Sequence, residues 1–75
     1  MSLIRKYSVS IHGHRTSFSL EEAFFAELNR MARDRDLPLA ALVAEIDGSR
    51  ARESNLSSAL RLAVLADIRN TSATG

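Results

Sequence analysis

The sequence predicts a mainly α-helical protein in which a short amphipathic β segment precedes three helices. Residues 7–11 and residues 16–20 each alternate apolar and polar side chains, with the period of a half-buried strand. After these two runs, apolar residues recur at helical spacing in three separate stretches. The chain has 75 residues and no cysteine, so disulfides do not stabilise its small core. We therefore expect a homo-oligomer.

The net charge of +1 is unevenly distributed along the chain. Residues 1–20 contain three basic side chains and no acidic one, whereas residues 21–53 contain five arginines and eight acids. A basic N-terminal segment suits a polyanionic partner, and a solvated terminus explains the same charge equally well. Charge alone does not choose between these two interpretations.

The two alternating runs differ in phase, because apolar residues carry odd numbers in the first run and even numbers in the second. Two structures fit this pattern. Gly13 can mark a bulge that re-aims one extended strand, or residues 12–15 can form a four-residue hairpin loop. The hairpin pairs Val9 with Phe18 and keeps the apolar side chains on one face, so the pattern slightly favours it. The whole strand region is expected over residues 7–20.

The first helix is expected over residues 20–35. Ser19 and Glu22 have the spacing of a capping box at its start. It is expected to end near Arg35, because Pro38 disfavours helical geometry at the preceding residue, Leu37. Its apolar stripe comprises Leu20, Phe24, Leu28, Met31 and Ala32.

The second helix is expected over residues 39–47. Pro38 stands at or just before its first residue, where the missing N–H costs little, and Gly48 can terminate it. Leu39, Leu42, Val43 and Ile46 form its apolar stripe.

The third helix is expected over residues 56–69, with Ser54 or Asn55 as its cap. It is apolar around much of its circumference, so we expect it to pack on two sides, one of them a subunit interface. Residues 70–75 are expected to form a flexible tail, which leaves residues 1–69 as a single domain.

This order of elements resembles the ribbon-helix-helix fold, in which a β segment is followed by two helices joined by a tight turn. Three strings are similar to a bacterial branch of that family with a third helix. They are Gly-His-Arg-Thr-Ser-x-Ser-Leu-Glu (13–21), Ala-Leu-Val-Ala-Glu-Ile-Asp (41–47) and Asn-Leu-Ser-Ser-Ala-Leu-Arg (55–61). The resemblance implies an intertwined homodimer whose two-chain β-ribbon reads double-stranded DNA in the major groove. The expected function is that of a small transcriptional regulator.

The resemblance also implies which residues contact DNA. Three outward strand residues take the base-reading positions: Arg15, Ser17 and Ser19. An arginine can donate to guanine O6 and N7, and a serine can bond to several bases. Phosphate contacts are assigned to Lys6 and to the backbone amides of Leu39 and Ala40, which open the second helix.

Three departures from the family pattern bear on this assignment. Pro38 stands where a hydroxyl cap is common, and Asp36 stands where a glycine often makes the turn, which puts a negative charge beside the phosphate position. A hairpin would be the third departure, because two hairpins sharing one ribbon form a four-stranded sheet that is too wide for the groove.

Other chemistry is not expected. His12 and His14 have no neighbouring carboxylate or cysteine, so we expect no metal site. No nucleotide-binding or nucleophile motif is present, and we expect neither a catalytic residue nor a cofactor. No apolar run reaches the roughly 18 residues of a membrane span, and the N-terminus lacks the apolar core of a secretory signal. A cytoplasmic protein without a membrane partner is therefore expected.

Two alternatives to a DNA-binding regulator remain open. The chain could be a protein-interaction module that keeps the dimeric scaffold and binds a protein partner through the third helix or the serine-rich sheet face. It could also be an antitoxin-like regulator, in which the part beyond the DNA-binding core covers a toxin.

Overall fold

The computed structural model describes residues 3–50 and 55–74, and side chains as far as residue 70. Two strands precede three helices, so the expected mainly helical class with a short β-ribbon is confirmed. The elements are β1 (Ile4–Ile11), β2 (His14–Glu21), α1 (Glu22–Asp34), α2 (Leu39–Ser49) and α3 (Leu56–Thr74). β1 and β2 pair with each other as a two-stranded antiparallel sheet.

The N-terminal run forms a hairpin with β2 and is not an extended arm. The expected four-residue loop at 12–15 is wrong, because the strands close on the two residues His12 and Gly13. Both have a positive φ, 51° and 80°, as a two-residue hairpin turn of type I′ requires. Such a turn matches the natural twist of the strands, and it leaves room for one more residue pair than the four-residue loop.

The short turn shifts the register by two residues from the expected one. Tyr7 lies opposite Phe18, and Val9 lies opposite Thr16. Because side chains alternate with a period of two, this shift leaves every side chain on its expected face. One face of the hairpin packs on the helices and is called the inner face below. The other, the outer face, carries the side chains of Lys6, Ser8, Ser10, Arg15, Ser17 and Ser19, with Ile4 and Glu21 at the end away from the turn.

The expected capping box does not form, because Ser19 belongs to β2. Glu21 is the N-cap residue of α1, and it makes no side-chain capping hydrogen bond. Instead, the Glu22 backbone N–H donates to the Leu3 carbonyl at 3.1 Å, which ties the start of the helix to the beginning of β1. Leu20 accordingly lies in the strand rather than in the helix, although it is fully buried.

The turn between α1 and α2 depends on Asp36, which has a φ of 56°. Aspartate tolerates this left-handed geometry better than most residues, so it fills the place where the family often has glycine. The Leu37 N–H donates back to the Ala32 carbonyl at 2.8 Å and closes the end of α1. Pro38 then acts as the N-cap residue of α2.

The third helix begins with a side-chain cap from Asn55, whose Oδ1 accepts a hydrogen bond from the Ser58 N–H at 2.7 Å. Ser54, the other candidate cap, lies outside the described residues. The helix continues to Thr74, beyond the expected end at residue 69, because no proline or glycine interrupts it before Gly75. Likewise, Gly48 does not end α2, which continues through Ser49.

The core lies between the inner face of the hairpin and the three helices. Its fully buried side chains are Leu20 from β2, Leu28 from α1, Leu42 and Val43 from α2, and Leu60 and Val64 from α3. β1 contributes Ile11 to this core, and Tyr7 stacks on Phe25 of α1 with ring centroids 3.7 Å apart. One chain therefore closes a core to which all five elements contribute.

Ion pairs connect the helices around this core. Arg30 of α1 donates to Asp67 of α3 at 2.6 Å, and this bond is the main reason why the pKa of Arg30 is raised. Arg35 donates to Glu45 of α2, which lowers the pKa of that carboxyl. Because the side chains of these pairs are partly exposed, each pair adds little to the free energy of unfolding.

Candidate nucleic-acid interface

The outer face of the hairpin is polar from Lys6 to Ser10 and from Arg15 to Ser19, and the exposed Ile4 lies opposite Glu21 at its far end. Its directly opposite pairs are Lys6–Ser19, Ser8–Ser17 and Ser10–Arg15. All six of these residues are exposed. Since a strand rises about 3.3 Å per residue, the face from Lys6 to Ser10 is about 13 Å long. It presents hydroxyl groups in its middle and a cationic side chain towards each end.

The two cations on the outer face are free to meet a ligand. Within residues 3–50 and 55–70, neither Lys6 nor Arg15 takes part in an ion pair. Arg5 lies on the opposite face of β1, where it pairs with Glu22 at 3.3 Å. Positive charge on the outer face is therefore not neutralised within the described chain.

The acidic group on this face lies at the far end of the hairpin. Glu21 accepts a hydrogen bond from Arg61 of α3 at 2.9 Å, and this bond lowers the pKa of Glu21. The same pair joins the end of β2 to α3. Because the Arg61 guanidinium balances its charge, Glu21 repels an anion on the outer face only weakly.

The structure brings the predicted base-reading residues together. Arg15, Ser17 and Ser19 follow one another on the outer face of β2, and Lys6 lies directly opposite Ser19. Sequence reasoning did not assign Ser8 and Ser10 to this site, although both lie on the same face. Their alternation with Tyr7, Val9 and Ile11 carries that signal, but only the hairpin pairing places them beside Ser17 and Arg15.

The other predicted phosphate contacts lie elsewhere. Leu39 and Ala40 are half-buried in the first turn of α2, a helix that packs against β1. The first N–H groups of a helix have no partner within it, so these amides are donors available at the helix end. Asp36 is exposed just before this turn, and the negative charge of its carboxylate weakens the electrostatic attraction of an anion to the helix N-terminus.

The two histidines lie at the tip of the hairpin. His12 belongs to the turn, His14 begins β2, and both are exposed. In the described ranges, no cluster of three or more histidine, cysteine, aspartate or glutamate side chains is arranged to hold a metal ion.

A second exposed surface lies on α3. Leu62 is 65% exposed, and Leu65 and Ile68 are each 42% exposed. These side chains point away from the core formed by Leu60 and Val64. No helix in the described parts of the chain is long and apolar enough to cross a membrane.

The architecture is a two-stranded antiparallel ribbon followed by three helices. The sequence of residues 4–68 matches the family model described as the ribbon-helix-helix domain. The chain therefore belongs to the ribbon-helix-helix family, whose members are generally homodimeric DNA-binding transcription regulators and typically not enzymes. No curated protein and no solved structure matches the chain.

Proposed function

We propose that this protein is a bacterial, cytoplasmic transcriptional regulator that binds specific double-stranded DNA sequences as a homodimer. One observation carries the proposal. The outer face of the hairpin combines exposed hydroxyl groups with two cations that form no ion pair with any described residue, and it lies on a two-stranded ribbon, a shape that the major groove admits.

Each residue of this face has a chemical task in the proposal. The Arg15 guanidinium donates two hydrogen bonds to guanine O6 and N7, while Ser17 and Ser19 bond to neighbouring base edges. Lys6 contacts a phosphate and supplies affinity without sequence information. The amides of Leu39 and Ala40 take a second phosphate, against the opposing charge of Asp36.

The proposal is tested by selecting duplexes from a randomised pool with the wild-type chain and measuring the anisotropy of the selected duplex, labelled with fluorescein. Binding to Z phosphates gives a slope of about −0.9Z in log affinity against log salt concentration. The selected duplex should also bind more tightly than a scrambled duplex of equal length. Equal, weak binding of both duplexes at low salt contradicts the proposal.

Arg15→Ala gives the residue-level test. It should cost about 1–3 kcal/mol in discrimination, because a bidentate arginine–guanine contact is lost. Arg33→Ala is a matched control, since Arg33 is an exposed arginine near the end of α1, away from the hairpin. The control should leave the preference for the selected duplex unchanged. Equal discrimination by Arg15→Ala and the wild type would rule out Arg15 as a base contact.

A second candidate function, protein interaction through α3, is favoured by the exposed Leu62, Leu65 and Ile68. This surface also suits the contact between two copies of the chain. Leu62→Glu changes an exposed side chain, so the fold should be retained. If α3 forms the dimer contact, sedimentation equilibrium will show a dimer for the wild type and a monomer for Leu62→Glu. If the Leu62→Glu dimer is as stable as the wild-type dimer, this surface of α3 is not the dimer contact.

A further inference from the structure

The edge of β2 that faces away from β1 is partly covered by α3. The Ser19 N–H lies on this edge and donates to the Ser57 Oγ at 3.1 Å. Because backbone groups alternate in direction along an antiparallel strand, Arg15 and Ser17 direct their N–H and carbonyl groups to the same edge. Within residues 3–50 and 55–70, no side chain or further strand bonds to these two residues there. Part of the edge is therefore covered, and part is open.

Ser57 stands where the carbonyl of a neighbouring strand would stand. In a sheet, an N–H donates to a carbonyl oxygen of the next strand at about 2.9–3.0 Å. The Ser57 hydroxyl oxygen lies 3.1 Å from the Ser19 nitrogen, so it satisfies the same donor. Another strand cannot bond to Ser19 at the same time, because the hydroxyl and the helix that carries it fill the space beside this residue.

A second bond holds α3 to the same strand. Arg61 follows Ser57 by four residues, so both side chains lie on one face of the helix. The Arg61 Nε donates to the Glu21 Oε1 at 2.9 Å. Four residues of a helix span about 6 Å and two residues of a strand about 6.6 Å, so the two bonds match in spacing. We name the bonds Ser57–Ser19 and Arg61–Glu21 the edge clamp.

A second copy of β2 is the strand that suits this edge. An open strand edge is a template for pairing, and proteins often cover such edges with a helix. Two β2 strands related by a two-fold axis run antiparallel and offer each other the same donors and acceptors. Pairing centred on Ser17 sets Ser19 of each chain opposite Arg15 of the other. The N–H that Ser57 covers is then needed twice in one dimer.

We propose that the edge clamp is an autoinhibitory contact, in which α3 competes with the β2 strand of a second copy for the Ser19 edge. Two chains then pair along β2 only after the first turns of α3 have moved off this edge. The clamp sets the concentration at which the chain dimerises, because only chains with an open edge can pair. The inference uses the homodimer of the proposed function but does not depend on DNA binding.

Ser57→Ala tests the competition by sedimentation equilibrium over a concentration series. The lost hydrogen bond favours the open edge about fivefold in each chain, so the Kd of the dimer should fall about 25-fold. Ser58→Ala is the matched control. Ser58 is the neighbouring half-buried serine, and its backbone N–H, not its hydroxyl, bonds to Asn55, so its dimer should have the Kd of the wild type.

Arg61→Gln tests the second bond of the edge clamp in the same way. It should also lower the Kd of the dimer. Arg69→Gln is its control, since Arg69 is an exposed arginine of α3 that forms no ion pair with any described residue. In a dilute sample, where the chain is monomeric, Ser57→Ala and Arg61→Gln should each lower the Tm. A contact that only supports the fold would not tighten the dimer while weakening the monomer.

A covalent link tests the clamp in the opposite direction. Glu21→Cys and Arg61→Cys, made together, place two thiols in a chain that otherwise has no cysteine. A short bis-methanethiosulfonate, added at low protein concentration, joins them through two disulfides, and mass spectrometry confirms a linked single chain. This chain should stay monomeric at concentrations at which the unlinked one dimerises, and dithiothreitol should restore the dimer.

The outcomes separate the inference from the proposed function. A Kd that is unchanged or higher in Ser57→Ala overturns the inference, as does a linked chain that dimerises like the unlinked one. A dimer formed through Leu62 of α3 would give that result. If the wild type and all variants stay monomeric at every concentration, the proposed homodimer fails and the inference falls with it. A tighter Ser57→Ala dimer supports the inference, even if no duplex is preferred over its scrambled form.

Discussion

The inner and outer faces of the hairpin have opposite properties, although they alternate residue by residue along the same strands. On the inner face, Phe18 is 4% exposed and Leu20 is fully buried, whereas Ser17 and Ser19 on the outer face are exposed. The inner face contributes apolar area to the core and the outer face contributes almost none. We therefore expect stability to depend on the inner face and the proposed DNA recognition on the outer face, so that a substitution changes one property without the other.

Leu20→Ala is expected to have the largest effect, on stability alone. Leu20 is fully buried between β2 and the helices, so its truncation removes apolar contacts and leaves a cavity. The free energy of unfolding should fall by about 2–5 kcal/mol, as measured by urea denaturation. Ser19 is the adjacent outer residue, and Ser19→Ala should change it much less. Similar losses in both variants would contradict the separation of the two faces.

Gly13→Ala should have the next largest effect, because it acts on the turn that sets the register of both faces. A Cβ at Gly13 would meet no atom of the described residues within 4 Å, so the cost comes from its φ of 80°. The expected loss is about 1–2 kcal/mol in the free energy of unfolding. His12→Asn is the opposite test, since asparagine adopts positive φ more readily, and it should stabilise the hairpin slightly. If His12→Asn also destabilises, the two-residue turn is not the one described.

Lys6→Gln should weaken DNA binding but change the free energy of unfolding by no more than about 0.5 kcal/mol, because Lys6 is exposed on the outer face. A lost phosphate contact weakens binding to the selected and scrambled duplexes by the same factor. The slope of log affinity against log salt should fall by about 1. A change in sequence preference would instead identify Lys6 as a base contact.

Much of the fold follows from local sequence, and the faces of the hairpin show why. The alternation of Ser8, Val9 and Ser10 assigns each side chain to a face, and an error of two residues in register leaves that assignment intact. The helical stripes similarly identified Leu28, Leu42 and Leu60, all of which are fully buried. The family was recognised from three short strings, and the match over residues 4–68 confirms it. The roles of the site residues stay predictions.

The features that sequence reasoning missed depend on competition between local and distant contacts. His12 gives a weak signal for positive φ, so a longer loop was expected. Ser19 has the spacing of a capping residue, but it lies within β2, where it pairs with Lys6. Its N–H bonds to Ser57, 38 residues away, a contact that no local pattern reveals.

The smallest expected effect concerns Glu21, which joins the outer face of the hairpin to α3. The Arg61 hydrogen bond lowers the pKa of Glu21 in the folded chain, so the folded state favours the ionised carboxylate. This stabilisation is present above the pKa of the unfolded chain, about 4.3, and is lost as the pH falls through the lower folded value. Glu21→Gln should therefore lower the Tm slightly near neutral pH, and this difference from the wild type should shrink as acid protonates the wild-type carboxyl. Arg61→Gln should produce the same pH dependence, and the double variant should lose no more than either single one. Additive losses in the double variant would show that the Glu21–Arg61 pair itself adds no stability and that Arg61 stabilises α3 through another contact.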